Sequence, residues 1–240
     1  MNPLQRWRTL VAEHDGAGLA LLYVLHRVIQ KASGGRAAIV PYLLVAQPVG
    51  NAALANIKPT AGFVVQRVGP GHPLLTAFPR PATVIAQRFA TGAECFAATV
   101  NGQFAGHIWI ARGHYVEDEV RCVYEISEPA LGAWDYDVYV EPRFRTGRTM
   151  GRMWRAVDEA LAAEGVKWSF SRINRFNSAS VKSHQRLGAV TVGRVTFGVV
   201  GGLQLGVGTG RGFVHVSFKR SRVPRLQLMQ PCLGTEAAKP

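Results

Sequence analysis

The most informative stretch of the sequence is Asp137-Val-Tyr-Val-Glu-Pro-Arg-Phe-Arg-Thr-Gly-Arg-Thr-Met-Gly151. It passes from alternating strand residues, through a proline-marked turn, into residues with helical spacing. The first N–H groups of such a helix have no partner within the helix, so together with the helix dipole they attract an anion. Gly147 and Gly151 would let a phosphate approach the backbone, and Arg145 and Arg148 would add charge-assisted hydrogen bonds. The stretch therefore predicts a phosphate-binding turn.

The residues around this turn predict alternating strands and helices. Asn101-Gly102 lies between two β-rich runs, which is a strong hairpin signal. The predicted order from there is hairpin, strand, strand, helix, strand, helix, strand, strand, with a mobile loop over Gly201–Gly212, which holds six glycines. This order indicates an α/β (α+β) fold with a mixed sheet and helices on both faces. The expected core tryptophans are Trp109, Trp134 and Trp168.

Three domains are predicted. Residues 1–60 are expected to be an N-terminal extension, with an amphipathic helix over 17–32 that packs on the domain rather than on a membrane. In the same extension, Ala37–Val49 is β-rich but contains Pro41, which suggests an edge strand or two short pieces. Residues 61–219 form the core domain, and residues 220–240 form a loosely held tail.

Composition narrows the class of protein. The chain has 240 residues, of which 48% are hydrophobic and 18% charged, so it can bury a core and is not a disordered tail. Its three cysteines form no CxxC pair, which makes a disulfide scaffold and a zinc module unexpected and points to a reducing cytoplasm. No export signal or transmembrane segment is recognisable, and no bound metal is expected.

The net charge of +13 attracts polyanions, but its distribution is uneven. Eight of the fifteen acidic residues lie between Glu117 and Glu141, and five arginines follow between Arg143 and Arg155. A general nucleic-acid binder has no need of an acidic block beside a basic one. A site that holds a phosphate on one side and an amine on the other does need this arrangement.

A second motif follows the next predicted strand: Asn177-Ser-Ala-Ser-Val-Lys-Ser-His-Gln-Arg-Leu-Gly188. Together with residues 138–147, its Asn177, Ser180, His184 and Leu187-Gly188 resemble the two acetyl-CoA-binding motifs of the GNAT superfamily of N-acetyltransferases. The resemblance covers about residues 61–219, and the order of elements agrees with it. The phosphate turn departs from the family pattern, because Phe144 stands where the family has Arg or Gln and Thr149 where it has a second glycine.

The resemblance implies acetyl-CoA as co-substrate and a set of residues that bind it. The main chain at Tyr139 and Val140 would bind the thioester carbonyl, and Asn177 would bind the pantetheine arm together with Ser180. The turn would hold the pyrophosphate through Arg145, Gly147, Arg148, Thr149 and Gly151.

Three residues are candidates for proton transfer. His184 stands where the family often has a tyrosine that protonates the departing thiolate; the alternative is an exposed helix residue. Asp137 or Glu125 could accept the proton of the amine, directly or through water; the alternative, favoured for each alone, is an ordinary surface strand residue. By strand alternation, Asp135 and Asp137 are expected on one face.

The sequence therefore predicts a GNAT-like acyltransferase that transfers an acetyl group from CoA to an amine acceptor. One alternative is a longer acyl donor, and another is a non-catalytic binder of nucleic acid or anionic surfaces, although nucleic acid is not the expected partner. A homo-oligomer is possible within this interpretation.

Overall fold

The structure is a computed structural model that describes residues 2–145, 148–209, 213–218 and 223–231. Within it, the chain forms two compact units. The central unit consists of Gln47–Tyr115 and Ile126–Ser171. The terminal unit consists of the described residues within Met1–Ala46, Val116–Glu125 and Arg172–Pro240.

The helices and strands follow the predicted order, with additional elements. The helices are α1 (Pro3–Glu13), α2 (Ala17–Ala32), α3 (Ala52–Ala55), α4 (Ala82–Ala90), α5 (Thr149–Ala163) and α6 (Ser178–Arg186). The strands are β1 (Ala37–Pro48), β2 (Phe63–Val68), β3 (Glu94–Val100), β4 (Gln103–Arg112), β5 (His114–Val116), β6 (Val123–Ile126), β7 (Gly132–Val140), β8 (Trp168–Asn174), β9 (Val190–Val200), β10 (Leu203–Gly208), β11 (Val214–Phe218) and β12 (Arg225–Leu228).

The sheet of the central unit has the order β8-β7-β4-β3-β2. Its neighbours are antiparallel except for β7 and the first half of β8, which are parallel. The predicted Asn101-Gly102 hairpin joins β3 to β4, and both turn residues have the positive φ that this turn requires.

Helices cover both faces of this sheet, as predicted. Phe89 of α4 packs against Trp109 of β4, with ring centroids 4.9 Å apart. On the opposite face of β4, a Cβ added to Gly106 would lie 2.9 Å from the sulfur of Met153 on α5. Trp109 and Trp134 are fully buried, which confirms the core predicted for the tryptophans.

The terminal unit has the strand order β11-β10-β9-β1-β8. The prediction that Pro41 marks an edge strand or a break is wrong, because β1 is one continuous strand between β9 and β8. A proline removes one donor but keeps its acceptor. The carbonyl of Pro41 accepts a hydrogen bond from the N–H of Arg175 at 2.8 Å, so the strand tolerates the residue in the interior.

Two segments predicted as loop or loosely held tail contain strands. β10 occupies much of Gly201–Gly212, where Gly206 lets the strand lie against Phe197 and Phe213: a Cβ on it would come within about 3.0 Å of both rings. In the predicted tail, β12 lies beside β6. Glycine content misled the first prediction because Gly206 and Gly208 lie within a strand, where a Cβ would crowd their neighbours, whereas Gly201 and Gly202 form the turn that precedes it.

The α/β class with a mostly antiparallel mixed sheet is confirmed. The proposed division into residues 1–60, 61–219 and 220–240 stays a prediction. In α2 the predicted amphipathic stripe is partly exposed: Leu25 and Val28 keep 47% and 58% of their full accessibility, whereas Leu19, Leu22 and Ile29 are half-buried. None of the described helices combines the length and the apolar character needed to cross a bilayer.

Candidate functional site

The main structural irregularity of the central unit lies in β7. Its parallel pairing with β8 ends at Trp134 and Phe170, whereas β7 continues to Val140 along β4. The β4–β7 register also shifts between His107 and Trp109. Opposite this shift, Asp137 has a φ of 47°, which is uncommon for a residue other than glycine. In the described register, residues 135–140 therefore form a strand edge that β8 does not pair.

Asp137 is the centre of a charged cluster, here called the Asp137 cluster, formed with Arg80, Arg88 and His107. The Nε of Arg80 donates to Oδ2 of Asp137 at 2.9 Å, and its Nη2 donates to Oδ1. Arg88 donates to Oδ2 from Nη1, and the Nε2 of His107 lies 3.4 Å from the same oxygen. One carboxylate thus binds two guanidinium groups and an imidazole.

These contacts make Asp137 a poor proton acceptor. Burial alone would raise the pKa of its carboxyl, but hydrogen bonds from His107, Arg80 and Arg88 outweigh burial and hold the pKa far below its usual range. Burial also lowers the pKa of His107, so this imidazole is neutral at neutral pH. The structure therefore favours an anchoring role for Asp137 over the base role that the sequence suggested.

The prediction that Asp135 and Asp137 share a face is wrong. The guanidinium of Arg88, which binds Asp137, also lies over the ring of Tyr136 at 5.1 Å from the centroid. Asp137 and Tyr136 therefore face the same helix, because the bulge at Asp137 resets the alternation of the strand. Asp135 instead bonds to the neighbouring strand β8.

Asp135 is a buried carboxyl immediately beyond Trp134, the last residue of β7 that pairs with β8. It is 2% exposed, and its Oδ2 accepts a hydrogen bond from the Oγ of Ser169 at 2.8 Å. Burial raises the pKa of Asp135 to about 7, against hydrogen bonds from Ser169 and Ser171 that favour the ionised form. A carboxyl of this kind can both accept and release a proton near neutral pH.

The structure does not give one common environment to the residues predicted to hold the pyrophosphate. Arg145 folds back on β7, where its Nε donates to the carbonyl of Val140 at 2.9 Å and its guanidinium lies 5.9 Å from the ring of Tyr139. Thr149 is buried. At Gly151 a Cβ would come within 2.8 Å of Ile57, so this glycine serves packing.

Gly147 lies outside the described residues. The start of α5, which follows in the chain, is suited to binding an anion. The helix has 15 residues, and its first turn has neither an acidic residue nor a side-chain cap among the described residues. Arg148 directly precedes it and is exposed. Uncapped N–H groups beside a guanidinium form a suitable position for a phosphate group.

In the terminal unit, His184 is buried at 6% exposure, so the alternative of an exposed helix residue is wrong. Its Nδ1 lies 2.9 Å from the carbonyl oxygen of Ser180 and must donate to it. Burial lowers the pKa of His184, although this hydrogen bond opposes the effect. The ring is therefore mostly neutral, with its other nitrogen unprotonated, which makes it a weak proton donor for a thiolate.

We expect His184→Ala to lower the free energy of unfolding by about 1–3 kcal/mol, because it removes a buried, hydrogen-bonded ring. The rate of the acyl transfer that the sequence predicts should fall less than tenfold at saturating substrate when assayed below the unfolding temperature. His184→Gln is the matched variant, since an amide can donate to the same carbonyl and should recover part of the stability. If a folded His184→Ala protein instead lost activity by about 100-fold or more, the scale of general acid catalysis, His184 would be the proton donor.

Asn177 and Ser180 contact each other at the start of α6. The side-chain oxygen of Asn177 accepts the N–H of Ser180 at 3.1 Å, so Asn177 acts as the helix N-cap. Its amide NH2 group remains a donor for a ligand. Glu125 forms an ion pair with Arg225 in which both side chains are substantially exposed, which does not activate it as a base.

Four of the eight acids between Glu117 and Glu141 form ion pairs with arginines of their own unit, and two more accept hydrogen bonds from hydroxyl groups. Arg172 pairs with Glu117 and Glu119. The Tyr139 hydroxyl donates to Glu141 at 2.9 Å. The block also contains three acids that bind to arginine or serine side chains, namely Glu125, Asp135 and Asp137. It therefore gives little electrostatic support to the predicted preference for a cationic acceptor.

Sequence reasoning missed the residues that make this region unusual. Arg80 lies just before α4 and Arg88 within it, 57 and 49 positions from Asp137, and no local pattern joins them. The sequence did contain a signal for the contact between Asp135 and β8. Asp135 interrupts the apolar start of β7, and Ser169 and Ser171 alternate with apolar residues in a buried strand. Polar side chains in strands that are otherwise buried need hydrogen-bond partners, so the sequence could have predicted that Asp135 bonds to these serines.

Comparison with solved structures shows which known folds this chain resembles. A tandem GNAT protein from the clavulanic acid biosynthesis pathway is similar with a TM-score of 0.50 and 15% identity, over 78% of this chain and 59% of that one. A functionally unknown conserved protein from Staphylococcus epidermidis ATCC 12228 gives 0.47 and 14%, over 72% and 66%. A GCN5-related N-acetyltransferase from Kribbella flavida gives 0.43 and 13%, over 73% and 64%.

This chain thus spans between 59% and 66% of the lengths of these three proteins. No family model matches the chain, and no curated protein matches it in sequence. The resemblance to the GNAT superfamily that the motifs indicated is confirmed at the level of the fold.

Proposed function

We propose that this protein transfers an acyl group from a CoA thioester to an amine. The observation that carries the proposal is the edge of β7 that β8 leaves unpaired in the described register, together with the start of α5, where the described residues provide no side-chain cap and Arg148 lies beside the first turn. Along this edge, main-chain groups of residues 138–140 would form hydrogen bonds with the amides of the pantetheine arm of CoA and with the thioester carbonyl. The helix start offers N–H groups to the phosphates of the same molecule.

Acetyl-CoA is the donor that this proposal assigns, and it supplies an activated acyl group when bound. Arg148 and the first N–H groups of α5 would hold its pyrophosphate. Asn177, through its amide NH2 group, is the proposed partner of the pantetheine arm. The longer acyl donor is distinguished from acetyl-CoA by comparing kcat/KM over a series of acyl chain lengths.

Proton transfer is assigned to Asp135 rather than to Asp137 or Glu125. An alkylamine resembles lysine, with a pKa of about 10.4, so it must lose a proton before it attacks a thioester. The proton passes to the carboxylate of Asp135 through the hydroxyl of Ser169 or Ser171. As the C–N bond forms and the C–S bond breaks, the second excess proton on the nitrogen passes by way of water to the departing thiolate, and Asp135 loses the proton it accepted before the next turnover.

We expect Arg148→Glu to weaken CoA binding about 10- to 100-fold, because it removes a charge-assisted hydrogen bond and places a negative charge beside the phosphates. Isothermal titration calorimetry with CoA measures the effect. Lys167→Glu is the matched control, because it makes the same charge change at another exposed position of the central unit. Equal weakening by both variants would mean that only net charge matters, and an unchanged Kd for Arg148→Glu would overturn the phosphate position.

The compartment expected from the sequence is retained in the proposal. Cys95 and Cys122 are both buried and free, as suits a protein that works in a reducing cytoplasm.

A further inference from the structure

The terminal unit contains a cavity of about 230 Å³ that the acyl-transfer proposal does not use. It lies between the α1–α2 turn, β1, α6 and β9. Its apolar lining residues are Leu19, Leu43 and Val181, and its charged lining residues are Asp15, Arg175, Lys182 and Arg194. Three cations thus surround an apolar surface together with one carboxylate.

Within the part of the chain that the structure describes, the charges of these cations are only weakly compensated. None of Arg175, Lys182 and Arg194 forms an ion pair with any residue that the structure describes. Arg175 is half-buried, and both burial and the nearby charge of Arg194 lower its pKa, an effect that Asp15 only partly offsets. Bringing two guanidinium groups together costs free energy unless an anion lies between them.

The cavity uses a different face of α6 from the residues that the second motif assigned to the cofactor and to proton transfer. Ser178, Val181, Lys182 and Gln185 line the cavity, and their spacing places them on one stripe of the helix. Asn177, Ser180 and His184 form another stripe, turned from the first by roughly 100° at 3.6 residues per turn. The two faces can therefore bind different molecules.

We propose that this cavity binds a small organic anion. Its phosphate or carboxylate group lies between Arg175 and Arg194, where Lys182 also contributes, and its short apolar part packs against Leu43 and Val181. The volume is below the roughly 300–1,000 Å³ typical of sites for drug-sized ligands, so the ligand has on the order of ten non-hydrogen atoms. The site does not depend on the proposed acyl transfer.

Calorimetry on the full chain with phenyl phosphate, benzoate and inorganic phosphate tests the site, with ionic strength held constant by sodium chloride. We expect saturable binding of one aromatic anion per chain, tighter than binding of inorganic phosphate, because the ring also buries apolar surface. Tighter binding of phenyl phosphate identifies a phosphate ligand, and tighter binding of benzoate identifies a carboxylate ligand. Either result supports the site.

Arg175→Gln should weaken the tighter probe roughly 10- to 100-fold, the loss expected for one charge-assisted hydrogen bond. Lys182→Gln is the second variant, because its exposed position on α6 leaves folding intact. Arg8→Gln, an exposed arginine of α1, is the control and should bind as the wild type does. Affinity unchanged in both cavity variants, no saturable binding, or full displacement of the probe by CoA would overturn the proposal.

Discussion

Asp137→Ala is expected to lower the free energy of unfolding by about 3–5 kcal/mol at neutral pH. The carboxylate is the shared anion of Arg80 and Arg88, and the side chain of Arg88 is only 10% exposed, so its removal leaves two buried or partly buried cations side by side. The φ of 47° at this position adds to the loss, because alanine adopts this conformation less readily than aspartate. Denaturation by urea, followed by the change in tryptophan fluorescence, measures the effect.

Asp137→Asn separates the charge from the shape of the side chain. Asparagine accepts a positive φ and keeps one acceptor oxygen, so any remaining loss of stability reports the charge itself. Glu125→Gln is the control, because it removes a charge from an exposed ion pair and should cost at most about 1 kcal/mol. An Asp137→Asn protein that is as stable as the wild type but inactive would restore Asp137 as the catalytic base.

The same cluster predicts a dependence of stability on pH. The folded pKa of Asp137 lies below its ordinary value, which is about 3.9 in unfolded chains. Its contribution is therefore complete above about pH 4 and is lost as the pH falls through the folded pKa. The difference in stability between wild type and Asp137→Asn should accordingly shrink in acid, which a series of urea titrations at falling pH would show.

Local patterns predicted the elements of the central unit well. The Asn101-Gly102 hairpin and the apolar stripe of α5 lie where their sequences indicated, because turn conformation and helix periodicity are properties of short segments. β10 was missed because glycine-rich strands have little β propensity of their own. Its position depends on packing against Phe197 and Phe213, which both lie outside the strand.

The site was predictable only where a motif is continuous. The turn into α5 was found from one stretch of residues, but the Asp137 cluster joins four residues from three separate segments. The alternation rule failed at Asp137 because a single bulge reverses every face after it. Whether a carboxylate is a base or an anchor depends on its partners, and here two arginines make Asp137 an anchor.

Asp135 is a different kind of carboxyl, and its replacement is expected to change activity and stability in opposite directions. Asp135→Asn keeps an oxygen that accepts from Ser169 but cannot take up a proton, so kcat should fall about 100- to 10,000-fold. The pKa of Asp135 is raised to about 7 in the folded protein, above its unfolded value. Its contribution to stability is present at low pH and is lost as the pH rises through 7. The asparagine variant should therefore be more stable than the wild type at pH 8.

Three measurements decide whether Asp135 carries the proton. In the wild type kcat/KM should rise with pH through a group near 7, and Asp135→Asn should lose that dependence because the titrating group is gone. Asp158→Asn is the matched control: this buried acid of α5 also has a raised pKa, but it accepts the N–H of Gly50 at 3.0 Å and should leave kcat within a few-fold of wild type. If Asp135→Asn gains stability at pH 8 yet keeps the wild-type kcat, water accepts the amine proton and the buried carboxyl only destabilises the fold. If Asp135→Asn loses activity and also gains stability at pH 8, the reaction needs this buried acid, and that need explains why the protein keeps a residue that destabilises its fold.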